Sequence, residues 1–122
     1  MTDDALDKVF ERIWNIAETL GLPELVRSTT HGTPSLKVKT SFIGRLKDND
    51  TFAIHCPLEE KPLLMENVPD IYFETDHYKG WPYILMHLGA VSDAELAHRI
   101  KLAWHAKAPA KLKKALAAAN AN

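Results

Sequence analysis

The chain has 122 residues, 46% hydrophobic and 25% charged, with a formal net charge of -1 and one cysteine. That length supports one ordinary hydrophobic core and leaves no room for a second, and a lone thiol excludes an internal disulfide. The near-neutral balance excludes a domain that is basic throughout, as many nucleic-acid binders are.

The first predicted element is a helix from about Asp3 to Leu20. Leu6, Val9, Phe10, Ile13, Ile16, Ala17 and Leu20 recur at three- and four-residue intervals, which puts them on one stripe, and Gly21-Leu22-Pro23 is a stop signal. Asp3, Asp4 and Asp7 suit the positive end of the helix dipole, and Trp14 falls beside the stripe, where it covers an edge. From Leu25 to His55 the pattern becomes strand-like. Leu36-Lys37-Val38-Lys39 alternates, Phe42 to Leu46 follows a Thr40-Ser41 link, and a polar turn at 47–50 leads into Thr51 to His55. These read as successive antiparallel strands, with Leu36 and Val38 inward and Lys37 and Lys39 in water.

A short helix is predicted between Pro57 and Asn67. Pro62 belongs in a first helical turn, where its missing N–H costs nothing, so the regular part begins near Glu60. Ile71-Tyr72-Phe73 and Tyr83 to Leu88 read as two more strands on either side of a loop at 75–82. Ser92-Asp93-Ala94-Glu95 is a capping box that opens a helix faced by Leu96, Ile100, Ala103 and Trp104 and ended by Pro109. Ala110 to Ala119 has high helix propensity and a weak stripe, so it reads as a short docked helix that frays into its end. Residues 1–119 therefore form one expected domain of the α+β class, an antiparallel sheet with N- and C-terminal helices on one face, and 120–122 an expected disordered tail.

The acidic start Met1-Thr2-Asp3-Asp4 is unlike a secretory signal, and no apolar run approaches the roughly 18 residues of a membrane-spanning helix. Cys56, after Phe52-Ala53-Ile54, reads as a buried thiol in a reducing compartment. A cytoplasmic protein without membrane association is the expectation.

Charge is unevenly spread. Residues 1–34 hold six acids against Lys8, Arg12 and Arg27, whereas Lys37, Lys39, Arg45 and Lys47 follow without an acid among them. Ten acids lie from Asp48 to Glu95 against Lys61 and Lys79, and only basic residues, Arg99 to Lys114, come after. The pattern fits one basic face on a neutral protein, and it also fits the ordinary preference of Lys and Arg for helix C-termini. If nucleic acid binds, Lys37, Lys39, Arg45 and Lys47 are the candidates, and the contact is expected to be weak and non-specific.

The densest chemistry lies in Thr75-Asp76-His77-Tyr78-Lys79-Gly80-Trp81-Pro82, where acid, imidazole, phenol, amine and indole occupy one loop. Asp76 beside His77 offers an acid/base pair, but neighbours on an extended chain point to opposite sides, and turn-stabilising roles account for the same residues. A second segment, His31-Gly32-Thr33-Pro34-Ser35, reads as a bend shaped by Gly32 and Pro34. If the two loops adjoin, His31, Thr33, Asp76, His77, Tyr78 and Trp81 would surround one shallow site for a small anionic ligand. The six histidines show no short metal-ligand spacing, so no metal and no cofactor are expected.

These segments also carry a resemblance. The Gly-Thr-Pro turn at 32–34, the apolar-acid-Thr-Asp-His-Tyr run at 73–78, the Gly-aromatic-Pro at 80–82 and the ending from Trp104 to Pro109 resemble the MmcQ/YjbR family of small bacterial proteins, over nearly the whole chain to about Pro109. The resemblance implies a CyaY/frataxin-like arrangement, and it implies the family's label of DNA-binding proteins with a "double wing" motif. No catalytic residues come with it. The leading expectation is a DNA-binding or regulatory module, and the alternative is a small-ligand-binding protein or small enzyme using the 31–35 and 75–82 loops.

Overall fold

In the computed structural model, which describes residues 4–120, the first amphipathic stripe forms helix α1 (Asp4–Thr19). Phe10, Ile13 and Ala17 are fully buried along it, and Leu6, Val9, Trp14, Ile16 and Leu20 pack at its margins. Burial of Phe10 or Ile13 contributes about 2 kcal/mol each relative to exposure. The expected first residue of this helix, Asp3, and the last two residues of the expected tail lie outside the described residues.

Four strands follow in a meander: β1 (Leu25–Thr30), β2 (Thr33–Val38), β3 (Ser41–Leu46) and β4 (Thr51–His55). After helix α2 (Lys61–Asn67) come the short strand β5 (Tyr72–Phe73), a single 3-10 turn at Asp76–Tyr78, strand β6 (Tyr83–His87), and helices α3 (Asp93–Lys107) and α4 (Ala110–Ala119). The sheet is antiparallel in every pairing, in the order β1-β2-β3-β4-β6-β5. The fold is α+β, as composition and periodicity predict, with α1 and α3 packed on one face of the sheet.

Register separates the two faces. Leu36, Leu46, Phe52, Ile54, Ile84, Met86 and Tyr72 point to the helices and are buried with Phe10, Ile13, Leu96, Ile100 and Trp104. The partners on the opposite face are Thr30 with Thr33, Lys37 with Phe42, Ser35 with Arg45, Arg45 with Ala53, His55 with Tyr83 and Thr51 with His87. The helix layer is tied down by long-range bonds. Arg12 of α1 donates to the carbonyls of Leu88 and Val91 at 2.7 Å and to Asp93 at 2.9 Å, and the Trp104 indole donates to the Pro23 carbonyl at 2.8 Å. Ser92 caps α3 by accepting from the Glu95 amide, but the Glu95 carboxylate, which a full capping box would turn back on the cap, instead accepts the Tyr72 phenol.

The segment at 31–35 differs from its expected bend. It is a two-residue hairpin turn, His31-Gly32, in which both residues have positive φ (51° and 79°), the geometry that matches the twist of paired strands. Pro34 belongs to β2 itself. Thr30 and Thr33 close the turn, so the next pair, Thr29 with Pro34, is a non-hydrogen-bonded one, and β2 pairs with β3 only from Ser35 onward; the missing N–H is not required. Lys39, expected at the end of a strand, sits in the next hairpin turn with φ 57°. α2 begins at Lys61 with Glu60 as its cap and Pro62 in its first turn, as its proline dictates. α4 docks through buried Leu112, with Asn120 at its C-terminal cap.

Strand β3 carries an irregularity that shapes the outer face. Leu36 pairs with Gly44 but Lys37 with Phe42, so β3 accommodates one extra residue, a β-bulge. Gly44 sits in that bulge against β4, where a Cβ would lie 2.7 Å from the Ala53 carbonyl oxygen and 3.0 Å from the Phe52 ring. Gly44→Ala is therefore expected to destabilise the fold by about 1–3 kcal/mol through backbone displacement. Urea unfolding checks this: a midpoint equal to that of the parent protein would show that β4 moves aside freely.

Candidate functional site

The bulge determines which side chains share the outer face. In a regular strand Phe42 and Arg45, three positions apart, would point in opposite directions; the extra residue turns both outward, Phe42 opposite Lys37 and Arg45 opposite Ser35. Tyr83 meets Phe42 with ring centroids 5.5 Å apart, and its hydroxyl is 3.5 Å from the Phe42 carbonyl. Arg45 is held from the other side. Its Nη1 donates to the Thr33 hydroxyl at 2.9 Å and lies 3.5 Å from the Thr30 carbonyl, while Thr33 donates to that same carbonyl and the Thr30 and Ser35 hydroxyls share a bond of 2.9 Å.

The 75–82 segment covers this surface. Asp76–Tyr78 forms the 3-10 turn, and the Tyr78 ring reaches the far end of β3, with the Lys47 ammonium 5.1 Å from its centroid. His77 meets Tyr78 edge-on at 5.1 Å. The segment is anchored by Lys61 at the start of α2, only 2% exposed, whose ammonium donates to the carbonyls of Tyr78 at 2.8 Å and Trp81 at 2.9 Å and lies 3.2 Å from the Glu74 carboxylate. Cys56 closes the base by donating its amide to the Pro82 carbonyl.

Between this segment and the sheet is an open cleft of about 450 Å³, lined by Thr30, His31, Phe42, Arg45, His77, Tyr78, Trp81 and Tyr83. Among the described residues, its lining contains one guanidinium, two imidazoles, four aromatic rings and no carboxylate. Trp81 remains 61% exposed at the rim, and Phe42, Tyr78 and Tyr83 are half-buried. Burial, followed by the neighbouring Tyr78, raises the pKa of the Tyr83 phenol, so it stays a neutral donor. Beyond the cleft, burial and then the positive charge of Lys107 hold His55 below the ordinary imidazole value.

Of the residues singled out in the sequence, His31, His77, Tyr78 and Trp81 come together in this lining, and Thr33 stands behind it as the partner of Arg45. Asp76 does not line it: its side chain is 98% exposed and pairs with Lys79 at 3.5 Å. Arg45, picked for its charge as a nucleic-acid candidate, is a cleft residue, whereas Lys37 lies beside Phe42 on the outer face and Lys39 in the exposed β2–β3 turn. Phe42, Tyr83 and Thr30 carried no sequence signal as site residues because each reads as an ordinary strand position. Lys61 gave none either, since a lysine beside Pro62 reads as a solvated helix start.

A second polar group lies under α2. Arg99, 7% exposed, donates to Glu60 at 3.1 Å and lies over the Tyr72 ring at 5.8 Å, and the Cys56 thiol is 3.8 Å from the same Glu60 carboxylate. Burial pushes the thiol up to about 11, against the weaker opposing pull of Arg99. No family model, no curated protein and no solved structure matches the chain.

Two outcomes follow from these contacts. Lys61→Met is expected to leave two carbonyls and the Glu74 carboxylate without their cation, lowering stability by about 3 kcal/mol and freeing residues 76–82. Amide hydrogen exchange confined to unchanged rates in that segment would show that Lys61 does not anchor it. The Cys56 thiol is expected to resist iodoacetamide at pH 8 until the chain unfolds. Because its folded value lies above the unfolded value near 9, the stability gained from a neutral thiol is complete below pH 9 and declines toward pH 11, which denaturation at pH 8, 9.5 and 10.5 measures.

Proposed function

We propose that this protein is a binding module that holds a small anionic ligand, through an aromatic part of that ligand, in the cleft between the 75–82 segment and the helix-free face of the sheet. The observation that carries the reading is the lining itself: aromatic walls, one oriented guanidinium and no carboxylate. Rings contribute area and stacking, and a charge-assisted bond from Arg45 selects for an oxyanion. Both Arg45 contacts use Nη1, which leaves the rest of the planar fork to face a ligand. No catalytic activity belongs to this reading.

The test uses 4-nitrophenyl phosphate against neutral 4-nitroanisole, followed by amide chemical shifts. The phosphate is expected to perturb residues 30–33 and 45, around the guanidinium, the neutral analogue far less, and Arg45→Met is expected to weaken binding about ten- to hundredfold. Equal affinity for both probes would remove the anion from the proposal.

A second reading is supported by Arg45, Lys37 and Lys39 following one another along the β2–β3 hairpin toward its turn. In it the hairpin contacts a nucleic-acid backbone weakly and without sequence preference, in keeping with the DNA-binding label and the CyaY/frataxin-like arrangement that the MmcQ/YjbR resemblance brings. Fluorescence anisotropy with a duplex at two salt concentrations is expected to show binding that falls steeply with salt and is lost when Lys37, Lys39 and Arg45 are all changed to Ala. Absence of binding at low salt would end this reading.

A further inference from the structure

The cleft's two ends differ, and the difference narrows the ligand further, in an inference that rests on the cleft-binding proposal above. Phe42 and Tyr83 are in ring contact at one end, and Trp81, whose carbonyl accepts from the Tyr83 amide, enters the lining from the adjoining backbone at the rim. Arg45, Thr30 and His31 lie at the other, joined through Thr33 and the β1–β2 hairpin. Along β3 the distance from Phe42 to Arg45 is roughly 10 Å at the usual rise per residue, shortened somewhat by the bulge. Arg45 is also drawn away from Phe42, toward Thr33 at the start of β2.

A ring bonded directly to its anion, such as a phenyl phosphate or a benzoate, spans too little to stack at the first end while meeting the guanidinium at the second. A planar ring, a polar spacer and a terminal anion fill both. The geometry points to a nucleotide, with its base against the Phe42, Tyr83 and Trp81 rings and its 5′ phosphate on Arg45. The volume of about 450 Å³ is enough for a base, a pentose and one phosphate. The absence of a carboxylate from the lining removes the repulsion that a phosphate dianion would otherwise meet. A base inside a duplex has no free ring face to offer these aromatic walls, so the nucleotide is either free or part of a single strand, where stacking on aromatic side chains is tolerant of sequence.

Amide chemical-shift titrations of the full chain with AMP, GMP, CMP and UMP, with adenosine, with 4-nitrophenyl phosphate and with a single-stranded oligo(dA) separate the possibilities. At least one monophosphate is expected to perturb both ends of the cleft, residues 30–33 with 45 and residues 42 with 81–83, and AMP to bind at least tenfold more tightly than adenosine. Trp81→Ala, at a rim position the core does not need, and Arg45→Met are each expected to weaken nucleotide binding about tenfold or more. Leu102→Ala, on the exposed side of α3, is expected to change nothing. Oligo(dA) binding more than tenfold tighter than AMP assigns the nucleotide to a strand, and comparable affinities assign it to a free metabolite; either supports the inference. If 4-nitrophenyl phosphate binds as tightly as every nucleotide, the nucleotide assignment is overturned while an anion site remains. If neither it nor any nucleotide perturbs the cleft, both the assignment and the cleft-binding proposal are overturned.

Discussion

One extra residue in β3 governs the outer surface of this sheet. Side chains on a strand alternate strictly, so Phe42 and Arg45 can share a face only if the alternation is broken between them, and the bulge at Ile43 and Gly44 breaks it. The break is permitted by a missing atom. A Cβ on Gly44 would press against the carbonyl oxygen of Ala53 at 2.7 Å, so only glycine lets β3 and β4 stay paired through the irregularity. Ile43 is meanwhile driven inward and fully buried, which fixes the register by hydrophobic burial on the helix side.

The rest of the outer face is assembled around that pair. Tyr83 packs on Phe42 from β6, Thr33 orients Arg45 from β2, and the 75–82 segment lies across both. A loop this polar would ordinarily be held by solvent alone, yet here a buried ammonium grips it. Lys61 gives up hydration at its position in α2 and recovers it through two carbonyls and a carboxylate, a trade that is favourable only when the partners are fixed. The result is a segment whose backbone is anchored while His77, Tyr78 and Trp81 line the cleft.

Polar groups under α2 have a different role. Glu60, Arg99, Tyr72, Glu95 and Cys56 bond mainly among themselves, and burial favours the neutral forms of the Tyr72 phenol and the Cys56 thiol. They join α2, α3 and β5, the short edge strand, to the end of β4. The two clusters share a neighbour in sequence, Glu60 bonding Arg99 and Lys61 bonding the 75–82 segment, so the start of α2 connects the interior to the cleft.

The sequence by itself determined the class of the fold and most of its elements. The three- and four-residue spacing of α1, the Ser92 cap of α3, the position of Pro62 and the alternation at Leu36 to Val38 are local signals, and each refers to a periodicity or a cap that neighbouring residues alone can satisfy. Local chemistry also marked His31, His77, Tyr78 and Trp81, because aromatic and titratable side chains concentrated in Gly- and Pro-shaped segments are poor core material. What only the tertiary structure decided depends on contacts between residues far apart in the chain. β1 pairs with a β2 that contains a proline; Gly44 is required by a carbonyl nine positions away; Phe42 meets a tyrosine 41 positions away; and Lys61 is buried by carbonyls 17 and 20 positions further on. A bulge has no periodicity of its own, since it is a local failure of alternation stabilised by a partner strand. For that reason Arg45 could be read from sequence as a charge, but its place beside Phe42 and Tyr83 in one cleft was set by packing.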